Sequence, residues 1–301
     1  MKETVEEWEL FLGLMKKCVS ATISKQALEY SEKIRTMDSQ RTLPGWNYCQ
    51  FFLLKEGLAI TYQRAGMMSE SLRLYQELEI LFLNLKDQKN APSTPNNLNG
   101  PLDTFISDSF LKNKEGVVVV PSILNLLKKK PELREEIYKS SICELYLRSY
   151  IFSRQADIIF AIKQPNKVAL MAISFIKEMY VHLREKCELL KPHFAERWAY
   201  KAYLDVIEEC EKQYNELSNK QQQKYEGSSN VEISFRRNSF TDIFRFRELS
   251  PKEHCLYMAN LYYFARTMVN PISPFSLFSL SHLFFYFFFF GKKSLIELEF
   301  H

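Results

Sequence analysis

The side chains able to do chemistry are spread thinly along this chain, and their spacing argues against most reactions. The histidines His182, His193, His254, His282 and His301 have no cysteine or carboxylate at metal-ligand spacing on a shared helix face. His254 and Cys255 are adjacent, and adjacent helical residues point apart. The cysteines Cys18, Cys49, Cys143, Cys187, Cys210 and Cys255 include no Cys-x-x-Cys pair, and most lie in apolar helical surroundings. They read as buried free thiols in a reducing cytosol. The chain has no Gly-rich phosphate loop, no His-Glu-x-x-His and no Gly-x-Ser-x-Gly. Glu77 and Glu79 stand two apart on a helical pattern, so they diverge and read as solvated charges, not as an acid–base pair. The expectation is a protein that is not an enzyme, with no catalytic residue, no metal site and no cofactor.

Two basic features remain. Arg148 and Arg154 flank Tyr150-Ile151-Phe152. Six helical steps turn by about 600°, leaving their directions about 120° apart, so they do not form one patch. Solvent-facing or intra-array ion pairing is favoured over contact with a neighbouring subunit. Arg236-Arg237-Asn238-Ser239-Phe240 suits a basophilic kinase and makes Ser239 a candidate phosphorylation site. The surrounding mixture of aromatic and basic residues, 234–248, could touch an anionic membrane surface, but a plain hairpin or loop packed on the rest is the simpler reading. A net charge of +4 over 301 residues, with the two signs interleaved, argues against nucleic acid as a partner.

What must position these residues is a set of helices. With 46% hydrophobic residues the chain can bury a sizeable core, and only 8 Gly and 11 Pro favour helices over a sheet sandwich. The spacing Leu58, Ala59, Tyr62, Gly66, Ser71, Tyr75 and Leu78 fits a tetratricopeptide-like hairpin. Ala59 and Ser71 are small enough to let two antiparallel helices approach, with Tyr62 and Tyr75 filling the space beside them. Gly66 can take the left-handed conformation that ends the first helix. One such unit cannot bury its apolar face alone. The expected fold is therefore all-α, with tetratricopeptide-like hairpins stacked as an α-solenoid, and the function implied is binding.

Along the chain, residues 1–85 form N-terminal helices that include the hairpin. One helix is expected from Val5 to Tyr30, with Val5, Trp8, Phe11, Leu12, Met15 and Val19 at helical spacing, and a second up to Met37. Pro44-Gly45 breaks the chain before the hairpin. Residues 86–130 read as a polar loop and irregular connection, in which Val117–Val120 could be a strand. Residues 131–216 read as solenoid helices. Pro131 opens a long helix running through Leu147–Gln155, Pro165 precedes a helix of about Lys167–Leu190, and Pro192 precedes one from Phe194 to Glu216. Residues 217–249 are a linker with the basic-aromatic segment, and 250–268 a final helix with Ser250 as N-cap. The amino terminus is polar and unlike a signal peptide.

The tail, 269–301, is apolar and dominated by Phe. A membrane anchor, a buried element and translated non-coding sequence all compete for it. The last is favoured. Phe, Ser, Leu and Pro are mostly specified by pyrimidine-rich codons, and a valine codon such as that of Val269 begins with the two bases of an intron donor. The tail is expected to be aberrant intron read-through.

Two blocks also carry a family resemblance. Pro44-Gly45-Trp46-Asn47-Tyr48-Cys49 running into Phe51–Ala59, together with Ser71–Glu79, resembles subunit 10 of the trafficking protein particle (TRAPP) II complex. So does Leu147–Gln155, followed by Gln164-Pro165 and Val168-Ala169. That family usually has Ala where Ser71 stands and Asp where Gln76 stands. The resemblance runs from about Trp8 to Cys210. Members are far longer, so it implies a truncated or internal fragment. It further implies a non-catalytic scaffold subunit of a vesicle-tethering complex in Golgi membrane traffic, supporting activation of Rab-family GTPases by other subunits. The implied partners are other TRAPP subunits and, indirectly, Rab GTPases. The implied location is cytoplasmic and peripheral at trans-Golgi membranes. The alternative is a tetratricopeptide-like adaptor anchored in a membrane by its tail.

Overall fold

The computed structural model describes residues 5–89, 102, 104–106, 131–185, 193–226 and 251–269. Among these residues there are helices and no strand: α1 (Val5–Ser39), α2 (Tyr48–Arg64), α3 (Met68–Lys89), α4 (Pro131–Tyr138), α5 (Glu144–Ala161), α6 (Pro165–Glu185), α7 (Phe194–Glu226) and α8 (Pro251–Val269). Val117–Val120, Ser250 and the apolar tail beyond Val269 lie outside the described residues.

Local chemistry sets most of the boundaries. The Asn47 side chain caps α2, accepting from the amides of Cys49 at 2.7 Å and Gln50 at 3.3 Å. Gly66 ends it, with φ +79. The amide of Met67 reaches the Tyr62 carbonyl at 2.9 Å and that of Gly66 reaches Gln63 at 3.1 Å, the paired bonds of a Schellman close. The same pair of bonds ends α4, where Ser140 takes φ +53, and α5, where Lys163 takes φ +60. Pro165 and Pro251 open α6 and α8, where a missing amide proton is harmless.

Three expected boundaries are corrected. α1 is one continuous helix through Ser39, not two. Ser31 returns its hydroxyl to the Ala27 carbonyl at 2.7 Å, so its polarity is satisfied inside the helix. The long helix expected from Pro131 is broken by the turn at 139–143, because a non-glycine residue, Ser140, accepts the left-handed backbone there. α7 runs on through 217–226, which had read as linker. Gln is a good helix former, so Gln221, Gln222 and Gln223 fit the helix.

The helices pack largely in chain order. α1 lies on α2, α2 on α3, α3 on α5, α5 on α6, α6 on α7 and α7 on α8. α4 bridges α2 and α5, and α8 also reaches α6. Aromatic pairs mark the seams: Tyr48 with Phe82 at 5.5 Å between α2 and α3, Phe52 with Tyr150 at 6.1 Å between α2 and α5, and Phe152 stacked on Phe175 at 4.6 Å between α5 and α6. Ala169 and Ala172 on α6, and Ala199 and Ala202 on α7, are fully buried, and their small size lets packed helices approach closely.

α1 and α2 run antiparallel. The Trp46 indole donates to the Met37 carbonyl at 3.0 Å, and Gly57 in the middle of α2 lies under the Tyr30 ring. At 17 residues α2 is half the length of the 35-residue α1. It covers the half of α1 that carries Ala27, Tyr30, Ile34 and Met37, which pack against the core. The stripe of Trp8, Phe11, Leu12, Met15 and Val19, read from sequence as an amphipathic face, is exposed instead.

Gly57 is where α1 and α2 meet most closely. A Cβ there would stand 2.5 Å from Tyr30 Cε1. In a Tyr30→Ala background, Gly57→Ala is expected to stabilise the protein by about 1 kcal/mol through helix propensity. With Tyr30 present, that gain is expected to vanish or reverse, because the ring must shift. Denaturant unfolding of the four proteins in this cycle checks the contact.

Candidate functional site

The chemistry of this molecule concentrates at buried junctions between helices. The principal one is built on Glu56, a fully buried carboxylate on α2. Its Oε2 accepts from Arg134 Nε of α4 at 2.8 Å, and its Oε1 accepts from the Tyr150 hydroxyl of α5 at 2.6 Å. The Tyr75 hydroxyl of α3 makes a longer contact with Oε1, at 3.5 Å. Tyr75 in turn accepts from Arg154 Nε at 2.9 Å, and Arg154 Nη2 reaches Gln63 of α2 at 3.1 Å. The Arg154 guanidinium also sits over the Tyr75 ring, 5.4 Å from its centroid.

The electrostatics follow from burial. Burial, then the Glu56 charge, pushes the hydroxyls of Tyr75 and Tyr150 well above the usual phenol range. Both therefore remain donors at any physiological pH. The hydrogen bond to Glu56 holds the Arg134 guanidinium more firmly protonated than usual. For Arg154, burial opposes the charge, but Tyr75, Tyr150 and Glu56 outweigh it. The arrangement fixes two cations and two neutral hydroxyls around one anion. What it does is fasten α2, α3, α4 and α5 together.

Further junctions extend the fastening. Lys86 of α3 holds Glu144 of α5 through both carboxylate oxygens, at 2.6 and 2.8 Å. The buried Arg148 lies 2.8 Å from Glu178 on α6 and 3.8 Å from Glu144. Residues 104–106 cap α5: Thr104 and Phe105 offer their carbonyls to the amides of Glu144 and Leu145 at 3.2 and 3.1 Å. Farther along, the buried His254 of α8 sits 3.1 Å from the Asn166 side-chain oxygen of α6 and stacks on Tyr214 of α7, 3.8 Å between centroids. Cys210 lies 3.5 Å from the Pro165 carbonyl, and burial pushes its thiol to about 12. Burial likewise raises Cys49 to about 11.

The residues singled out from sequence fall as follows. Leu58, Ala59, Ser71, Tyr75 and Leu78 are buried, Tyr62 is half-buried against the core, and Gly66 sits in the turn between α2 and α3. Arg148 and Arg154 are both buried and paired within the array, so the solvent-facing option is excluded. Glu77 and Glu79 diverge: Glu77 accepts from Lys55 and Arg73, and Glu79 from Gln155 across to α5. Neither is a free surface charge. Cys18 and Cys255 are exposed, which corrects the expectation of buried thiols at those positions. Cys187 and Ser239 lie outside the described residues. Among the described residues no group of three or more His, Cys, Asp or Glu could hold a metal ion, and no helix is long and apolar enough to cross a membrane.

Sequence reasoning missed Glu56. The signal was present: Glu56 shares a helix face with Phe52 and Ala59, at i−4 and i+3. A carboxylate in that position needs a cation from elsewhere in the fold.

Compared with known proteins, the chain matches no family model and no solved structure. It is similar to trafficking protein particle complex subunit 10 of Dictyostelium discoideum, 30% identical over 226 residues, covering 74% of this chain and 14% of that protein. It is 29% identical over 210 residues to the trafficking protein particle complex II-specific subunit 130 homolog of Oryza sativa subsp. japonica, covering 70% of this chain and 15% of that one. Against trafficking protein particle complex subunit 10 of Homo sapiens it is 27% identical over 211 residues, covering 69% of this chain and 16% of the relative. The chain thus spans well under a fifth of the length of these relatives.

The Glu56 junction makes a direct prediction. Arg134 is half-exposed, and an ordinary surface ion pair would contribute about 0.2–1 kcal/mol. Here its partner is wholly buried. Arg134→Ala is therefore expected to cost more, about 1–3 kcal/mol, because the carboxylate keeps its hydroxyl donors but loses its counter-ion. Urea unfolding of this variant beside Lys139→Ala, which removes the exposed pair with Glu135, makes the comparison.

Proposed function

Because this chain belongs to the family of trafficking protein particle complex subunit 10, we propose that it acts as a helical scaffold segment of a vesicle-tethering complex. Its partners in this reading are other TRAPP subunits, and its place of work is the cytoplasmic side of Golgi membranes. It supports activation of Rab-family GTPases while the catalytic surface belongs to other subunits. The helices stack as an α-solenoid whose successive layers offer a long surface to those partners. The α2–α3 hairpin, closed at Leu58, Ala59, Ser71, Tyr75 and Leu78, is one of its units.

The observation that carries this reading is the similarity over about seven tenths of the chain to proteins named as subunits of one complex. The physical character of the described residues supports it. Two of their buried carboxylates, Glu56 and Glu144, are spent on joining helices.

Two measurements on the purified chain test the proposal. Mixed with recombinant TRAPP subunits, it is expected to co-elute with a defined subset of them. On its own, it is expected to leave the release of a fluorescent guanine nucleotide from Rab GTPases at the spontaneous rate. Robust stimulation by the chain alone, or failure to join any TRAPP subunit, would overturn the reading.

A further inference from the structure

The first half of α1 carries a row of exposed apolar side chains. Every residue from Glu7 to Thr22 is exposed, including Trp8 at 55%, Leu12 at 40%, Met15 at 48% and Val19 at 53%. A helical stretch of about 16 residues is marginal in water by itself, and one that holds a row of large apolar side chains in solvent calls for a covering surface. We propose that this surface is a second copy of the chain, with the exposed halves of the two α1 helices paired antiparallel.

The spacing is the first argument. Trp8, Leu12, Met15 and Val19 follow each other by four, three and four residues, which is the seam of a two-helix coiled coil. Continuity is the second. The same stripe runs on into Ala27, Tyr30, Ile34 and Met37, the face already covered by α2. A helix laid along Trp8–Val19 continues the line of α2 past its end at Arg64 and extends an interface the fold already uses.

Charge chooses the occupant and its direction. In an antiparallel pair, Trp8 faces Val19 of the second copy and Leu12 faces Met15, so bulky and smaller side chains alternate. In that register Glu9 flanks the seam beside Lys16 of the second copy, and the two-fold axis repeats the attraction. Glu9 and Lys16 are both exposed in the single chain. Phe11 then lies beside Cys18. A parallel pair would set Trp8 against Trp8 and would give Glu9 no cation across the seam.

Sedimentation of the purified full chain over a range of concentrations tests this. A reversible monomer–dimer equilibrium is expected. The double variant Leu12→Glu/Met15→Glu should be monomeric, with unchanged thermal unfolding of the remaining helices, since both side chains are exposed in the single chain. Glu9→Lys should raise the dimer dissociation constant several-fold, and adding Lys16→Glu should restore it. A chain that stays monomeric throughout, or a dimer indifferent to Leu12→Glu/Met15→Glu, overturns the proposal. A charge reversal that the second change fails to rescue overturns the antiparallel pairing. If the chain is monomeric and the double variant instead loses binding to recombinant TRAPP subunits, the face belongs to a different partner and the proposal fails.

Discussion

One buried carboxylate conditions the whole first half of this structure. Glu56 sits in a helix otherwise committed to apolar packing, out of reach of water. A charge there is tolerable only if the fold delivers donors to it. Arg134 and Tyr150 do so directly, and Tyr75 with Arg154 forms the layer behind. These residues come from helices separated by up to 98 positions of chain, from Glu56 to Arg154. The requirement therefore specifies tertiary arrangement in a way that apolar burial cannot. Leucines accept many neighbours, whereas this anion accepts only cations and hydroxyls at hydrogen-bond distance.

The remaining junctions repeat that logic at lower stakes. Glu144 ties α3 to α5 through Lys86, Arg148 ties α5 to α6 through Glu178, and His254 ties α8 to α6 and α7. Directed polar contacts thus join α3 to α5, α5 to α6 and α6 to α8, in addition to the apolar area those helices share. The apolar area left exposed on the first half of α1 stands in contrast.

Much of the helical content was legible in the sequence, and the reasons are local. Few glycines, proline at the first positions of α4, α6 and α8, and Gly66 after α2 are signals carried by single residues. What was not legible depended on context. The turns after α4 and α5 use the same backbone device as the one after α2, but Ser140 and Lys163 occupy the left-handed position without advertising it. Gln221–Gln223 suit linker and helix equally, and the fold chose helix. Arg148 and Arg154 point apart, as their spacing requires, one to Glu178 of α6 and the other to Tyr75 of α3. Their burial depended on carboxylates and hydroxyls far along the chain, Glu178 and Tyr75, which no local window contains. The stripe on α1 has the right period for a core face, yet period alone cannot say whether a neighbour exists.

The most direct test of this account is native-state amide hydrogen exchange on Glu56→Gln, a variant that keeps the side chain's shape and removes its charge. If Glu56 unites the helices around it, α2, α3, α4 and α5 should lose protection together, by about 5- to 150-fold given a loss of about 1–3 kcal/mol. Protection in α7 and α8 should stay near that of the native chain. Faster exchange confined to α4, with α2, α3 and α5 unchanged, would show that Glu56 serves only its nearest cation and would contradict the account.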